Sequence, residues 1–102
     1  MIKITTEQTA TQVPFNIDGK IFHSSNKIET ILIKLKAGEE MDIHKNPFDV
    51  FFFIISGKGE LTTPDDYFQI EKNQSIYITK EELRGWKNTN DSTLEVLVVK
   101  II

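Results

Sequence analysis

Hydrophobic and polar residues alternate along several short segments of the chain. Within Ile28–Leu35, Ile31 and Ile33 lie on one face and Lys34 lies on the other. This period of two is typical of a β-strand with one buried face. Residues 50–55 are apolar on both faces. Together with other stretches rich in β-branched and aromatic side chains, the pattern predicts strands over residues 28–35, 50–55, 67–70, 75–79 and 94–102.

Turn-forming residues separate the predicted strands. Gly, Asn, Asp, Pro or Ser occurs in each interval, at residues 18–19, 37–38, 56–59, 63–66, 71–73 and 88–91. No long window carries the apolar stripe of a helix. Short strands with a turn about every 8–12 residues predict an all-β fold of antiparallel strands, either a sandwich or a barrel.

Length and charge narrow the function classes. The 102 residues suit one domain. The 12 basic and 15 acidic residues give a net charge of −3. Proteins that bind nucleic acids or acidic membranes rely on clustered Lys and Arg, so we expect neither as a partner. The longest apolar run, residues 50–55, is far shorter than the ~20 residues of a membrane helix, and the N-terminus has no signal-peptide pattern. A cytoplasmic protein is therefore expected.

Two sets of spacings resemble the signature motifs of the cupin family, which are small β-barrels of the jelly-roll type. The first motif covers residues 38–57, and its frame holds Gly38, His44, Asn46, Val50 and Gly57. The second covers residues 73–88, and its frame holds Asn73, Thr79, Glu81, Arg84 and Asn88. The resemblance implies a single cupin domain over residues 1–102, in which residues 1–12 form a loose or exchanged N-terminal arm.

The departures from this family pattern concern the metal ligands. The resemblance implies four ligand positions, and only His44 keeps a strong ligand. Asn46 offers a weak carbonyl oxygen, Val50 cannot bind a metal, and Arg84 adds a permanent positive charge. Cysteine is absent as well, which excludes disulfides and Cys-ligated metals. We therefore expect no metal ion and no other cofactor.

Strand alternation predicts what lines the barrel interior instead. The predicted ligand-binding residues combine an imidazole, an amide, two aromatic rings and a guanidinium: His44, Asn46, Phe52, Trp86 and Arg84. Arg84 is the only arginine in the chain. Because a guanidinium binds a carboxylate in a bidentate manner, it could anchor an acidic ligand. The alternatives for Arg84 are an ion pair with Asp42 or Glu82, or exposure to solvent. For Trp86 the alternative is plain core, which the notion of an apolar interior favours.

Three functions are consistent with the predicted residues of the barrel interior. The first is a protein that binds a small, acidic organic ligand without a metal. The second is a metal-free isomerase, epimerase or lyase in which His44 is the catalytic acid or base. The third, which the ligand positions favour least, is a metal-dependent enzyme such as a dioxygenase.

The outward side of residues 50–55 raises the question of assembly. If Phe52 points inward, Phe51, Phe53 and Ile55 point outward and form a large apolar patch. Either the N-terminal segment or a second subunit must cover it. We expect a homodimer.

Overall fold

The alternating segments form ten antiparallel strands, and a computed structural model of residues 1–102 contains no helix. The all-β prediction is confirmed. Without a helix, the chain offers none that could cross a membrane. The strands are β1 (Thr11–Gln12), β2 (Asp18–Ser24), β3 (Ile28–Leu35), β4 (Glu40–His44), β5 (Asp49–Ser56), β6 (Lys58–Thr62), β7 (Tyr67–Glu71), β8 (Ser75–Ile78), β9 (Arg84–Lys87) and β10 (Leu94–Ile101).

The strands form two sheets that enclose one core. The larger sheet has the order β1-β2-β3-β10-β5-β8, and the smaller sheet has the order β4-β9-β6-β7. Alternate residues of both sheets point inward, as the period of two requires. The core therefore draws on both sheets: its 13 buried hydrophobic residues are Val13, Ile31, Ile33, Leu35, Val50, Phe52, Ile54, Leu61, Ile78, Trp86, Leu94, Val96 and Val98.

The alternation of hydrophobic and polar residues does not predict β2, and one predicted turn is wrong for that reason. The turn expected at residues 18–19 is wrong, because Asp18 and Gly19 lie within β2 and Gly19 is paired with Ile33. Gly19 serves packing here. A Cβ at this position would approach Cγ2 of Val13 to 2.7 Å, so the missing side chain makes room for Val13 in the core.

The glycine positions of the two motif frames share one backbone conformation. Gly38 and Gly57 have φ angles of 83° and 79°. Asn73 and Glu81 stand at the corresponding positions of the second motif, and their φ angles are 68° and 70°. The left-handed region is unfavourable for Glu in particular. The backbone thus keeps both motif frames even where the sequence has lost the glycine.

The N-terminal segment does not cover the outer face of the large sheet. Ile2 and Ile4 are 91% and 85% exposed. Further along, Glu7 pairs with Lys34 at 3.1 Å, and β1 pairs with β2 of the same chain. Phe51 and Phe53 on the outer face remain partly exposed.

Candidate functional site

A cavity of about 160 Å³ lies between the two sheets. Ten of its 14 lining residues are hydrophobic, and none is an aspartate or a glutamate. All five of the predicted ligand-binding residues contribute to it: His44, Asn46, Phe52, Arg84 and Trp86. The cavity is therefore apolar, and its charged lining side chains are cationic.

Pairing between β4 and β9 brings the polar residues to one place. His44 at the end of β4 is opposite Arg84 at the start of β9, and Met41 is opposite Trp86. Because Arg84 and Trp86 are two residues apart in one strand, both side chains point to the interior. Gly85 between them permits the close approach, since a Cβ there would lie 2.5 Å from the carbonyl oxygen of Met41.

The Arg84 side chain is buried without a carboxylate partner. It is only 4% exposed, and its Nη1 donates one hydrogen bond to the carbonyl oxygen of His44 at 3.1 Å. Its Nε is enclosed and has no acceptor. Of the alternatives considered above, solvent exposure does not occur, and neither Asp42 nor Glu82 forms an ion pair with it. Burial lowers the pKa of Arg84, as expected for a cation removed from water.

Two aromatic residues form part of the cavity wall. The rings of Phe52 and Trp86 meet edge to face, with centroids 5.4 Å apart and an interplanar angle of 84°. Trp86 is 4% exposed, and its Nε1 has no acceptor. It belongs to the core and to the cavity wall at once, so the two interpretations of this residue are compatible.

His44 and Asn46 lie at the more exposed side of the cavity. Nδ1 of His44 is 3.0 Å from the carbonyl oxygen of Asp42. Because a carbonyl oxygen only accepts, this contact fits a proton on Nδ1 and leaves Nε2 free. The carbonyl oxygen of Asn46 accepts a hydrogen bond from the backbone N–H of Glu81 at 2.8 Å. That bond ties the first motif to the segment that leads into Arg84.

Lys100 also lines the cavity, although it is not among the predicted ligand-binding residues. It occupies an inward position of β10, two residues after the buried Val98. A lysine at an inward position of an alternating strand was the signal that could have identified it. Its charge is already partnered, because Nζ lies 3.5 Å from a carboxylate oxygen of Glu29. Arg84 therefore remains the cation of the cavity without a carboxylate partner.

The cavity residues do not fit a divalent cation. The structure contains no group of three or more His, Cys, Asp or Glu side chains that could hold a metal. Asp49, the carboxylate next to the Val50 position, faces away from the cavity and accepts a hydrogen bond from the Tyr77 hydroxyl at 2.6 Å. The donors that remain are His44 and Asn46, beside the buried charge of Arg84.

Residues 31–100 match the family model of the cupin domain. A search of curated proteins finds no match. Several solved structures share the fold. One is an uncharacterized conserved protein with a double-stranded β-helix domain from Klebsiella pneumoniae, with a TM-score of 0.84 and 14% identity over 99% of this chain and 90% of that one.

Two further structures have similar shapes and stated or predicted activities. A polyketide cyclase from Streptomyces resistomycificus has a TM-score of 0.86 and 13% identity, over 99% of this chain and 80% of that one. A predicted oxalate decarboxylase from Thermotoga maritima has a TM-score of 0.86 and 18% identity, over 98% of this chain and 99% of that one. At such identities the likeness concerns the fold alone.

Proposed function

The chain belongs to the cupin family, and from that premise we propose that its barrel binds a small, acidic organic molecule without the help of a metal ion. One observation carries the proposal: the guanidinium of Arg84 is buried in an apolar cavity with no carboxylate partner. A buried charge without a counter-ion is unfavourable. A ligand that brings a carboxylate would supply the missing partner.

The rest of the cavity supports the same proposal. No residue that lines the cavity carries a negative charge, so no carboxylate within the cavity competes with an anion for Arg84. The apolar walls would bury the body of the ligand, and a few polar groups would orient it, as in most small-molecule sites. Proteins similar in fold include a polyketide cyclase and a predicted oxalate decarboxylase, so the fold does not determine the chemistry.

Native mass spectrometry with added small carboxylic acids tests the proposal. We expect the wild-type protein to retain one acid per chain, and we expect Arg84→Gln to lose it. Lys58→Gln is the matched control, because it removes one positive charge from an exposed position outside the cavity. Equal retention by wild type and Arg84→Gln would contradict the proposal, and so would binding that requires one metal ion per chain.

A metal-free isomerase, epimerase or lyase is the second candidate, and the orientation of His44 favours it. The contact of Nδ1 with the Asp42 carbonyl oxygen would leave Nε2 able to take a proton from a ligand held by Arg84. Arg84 would then stabilise the negative charge that develops on the carboxylate. The test is exchange of ligand C–H protons in D₂O, followed by NMR. His44→Ala should abolish exchange while binding persists, whereas exchange that survives the substitution excludes this role.

A further inference from the structure

The size and lining of the cavity restrict the acid that it can hold. The volume is about 160 Å³, and an engineered apolar cavity of about 150 Å³ holds one benzene molecule. A sugar nucleotide or an extended chain could not be enclosed within such a volume. The part of the ligand that the cavity encloses therefore has about the size of one six-membered ring with a small substituent.

The distribution of polar groups restricts its chemistry further. Apart from Arg84, the polar side chains of the lining are His44, Asn46 and Lys100, and Lys100 is engaged by Glu29. A sugar acid would bury several hydroxyl groups, more than His44 and Asn46 could satisfy, and the others would lie among hydrophobic side chains without hydrogen-bond partners. One carboxylate can be satisfied at Arg84, and a second carboxylate would be buried without a free cation.

The two aromatic rings in the cavity wall favour a ligand with a flat ring. Phe52 and Trp86 already form an edge-to-face pair, and aromatic rings add favourable edge and offset contacts beyond the area they bury. We infer that the cavity takes an aromatic monocarboxylate of about benzoate size, with the carboxylate at Arg84 and the ring against Phe52 and Trp86. This inference rests on the proposed function and names the ligand class.

The test compares four probes that differ in one property each. Benzoate is the reference, benzyl alcohol lacks the charge, cyclohexanecarboxylate lacks the flat ring, and phthalate adds a second carboxylate. Trp86 is the only tryptophan in the chain, so its fluorescence reports on the cavity directly, and isothermal titration calorimetry gives an independent Kd. We expect benzoate to bind at least tenfold more tightly than each of the other three.

The variants separate the carboxylate contact from the ring contact. Arg84→Gln should weaken benzoate at least tenfold and change benzyl alcohol by less than threefold. Phe52→Leu should remove the preference for benzoate over cyclohexanecarboxylate, and Lys58→Gln should alter neither. If Phe52→Leu unfolds, Phe52→Met measures the same preference with an unbranched, nonaromatic side chain.

The outcomes distinguish this inference from the proposed function. Binding of phthalate or cyclohexanecarboxylate as tightly as benzoate, still dependent on Arg84, would overturn the aromatic monocarboxylate and leave the acidic-ligand proposal standing. Benzoate binding that is indifferent to Arg84→Gln would overturn the inference as well. If no small acid in the mass-spectrometric panel binds through Arg84, both fail.

Discussion

At Arg84, a cation makes one hydrogen bond to the protein and lies almost completely out of water. Such a group lowers the stability of the empty protein, since the charged head loses hydration that a single bond does not replace. Binding residues often act against stability in this way. The same atoms that would hold an acid therefore make the ligand-free fold weaker.

Replacing Arg84 by methionine should make the empty protein more stable. We expect Arg84→Met to raise the free energy of unfolding by about 1–3 kcal/mol, because an apolar chain of similar length removes the buried charge. Urea denaturation followed by Trp86 fluorescence measures the change. A loss of stability would mean that the bond from Arg84 to the His44 carbonyl outweighs the burial of its charge.

At Glu81 the backbone itself is strained. Its φ of 70° costs a residue with a Cβ roughly 1–2 kcal/mol. Glu81→Gly should therefore stabilise the protein by about 0.5–1 kcal/mol, after the greater freedom of glycine in the unfolded chain is counted. Its backbone bond to Asn46 is retained.

Glu82→Gly is the matched control, because Glu82 is exposed and has no positive φ. This variant should lose about 0.5–1 kcal/mol. Thermal unfolding of both variants in parallel checks the pair. If both glycines destabilise alike, the conformation at Glu81 carries no strain.

At the scale of the elements, the close contact between β4 and β9 positions the cavity. A Cβ on Gly85 would meet the Met41 carbonyl oxygen at 2.5 Å and the Asp42 carbonyl carbon at 3.0 Å. Backbone atoms cannot move aside cheaply, so Gly85→Ala should lower the free energy of unfolding by about 1–3 kcal/mol. It should also weaken acid binding, because His44 and Arg84 are paired across the two strands.

Lys87→Ala on the same strand controls for the general effect of a substitution in β9, since Lys87 is exposed. Chemical denaturation and benzoate titration are the two readouts. A Gly85→Ala protein with wild-type stability and affinity would show that β4 can shift without disturbing the cavity.

The link between β5 and β8 should make stability depend on pH at both extremes. The Tyr77 hydroxyl donates to Asp49, and so does the Lys80 amide at 2.8 Å. Both bonds lower the pKa of Asp49 below its ordinary value of 3.8, and the bond from Tyr77 has the larger effect. The same bond to Asp49 raises the pKa of Tyr77 above its ordinary value of 10.0. The Asp49 contribution is present above the unfolded pKa and is lost as pH falls through the folded value. The Tyr77 contribution is present below the unfolded pKa and is lost as pH rises through the folded value.

Tyr77→Phe should remove this contribution. The difference in Tm between wild type and Tyr77→Phe should be constant from about pH 5 to 9 and should shrink below about pH 4 and above about pH 10. Tyr67→Phe, at an exposed tyrosine of the smaller sheet, should give a flat difference. A Tyr77→Phe difference that does not vary with pH would rule out the contribution of this bond.

The sequence predicted the elements best where one face is buried. Ile28–Leu35 forms β3 with the predicted bounds, because strict alternation leaves one register that buries its apolar face. The alternation of hydrophobic and polar residues does not predict β4 and β9, because β4 is mostly exposed and β9 is mostly buried. Their positions followed from motif spacing instead. Nothing in the sequence could show that Arg84 lacks a carboxylate partner, because that depends on the distances between β9 and acidic side chains elsewhere.

For the whole molecule, the outer face of the larger sheet remains a large partly exposed apolar surface. Leu32, Leu97 and Phe53 lie side by side across β3, β10 and β5, and Val99, Phe51 and Tyr77 form the next row. Tyr77 and Ile55 are 56% and 39% exposed. Surfaces of this kind usually meet a partner. We propose that a second copy of the chain covers this face.

A charge in the centre of the face should therefore dissociate the protein. Phe53→Lys should convert a dimer into a monomer at tens of micromolar, because a lysine in the middle of an apolar interface cannot be paired. Light scattering coupled to size-exclusion chromatography measures the mass. Tyr67→Lys, on the outer side of the smaller sheet, should leave the dimer intact. A monomeric wild-type protein at the same concentration would refute the assembly.

The buried charge of Arg84 also bears on how long the protein survives in a cell. Proteases attack the transiently unfolded chain, and a bound ligand reduces that population in proportion to its occupancy. A fold weakened by its own empty site is degraded faster when the acid is scarce and slower when it is abundant. We expect the cellular amount of this protein to follow the supply of its ligand, without any change in its synthesis.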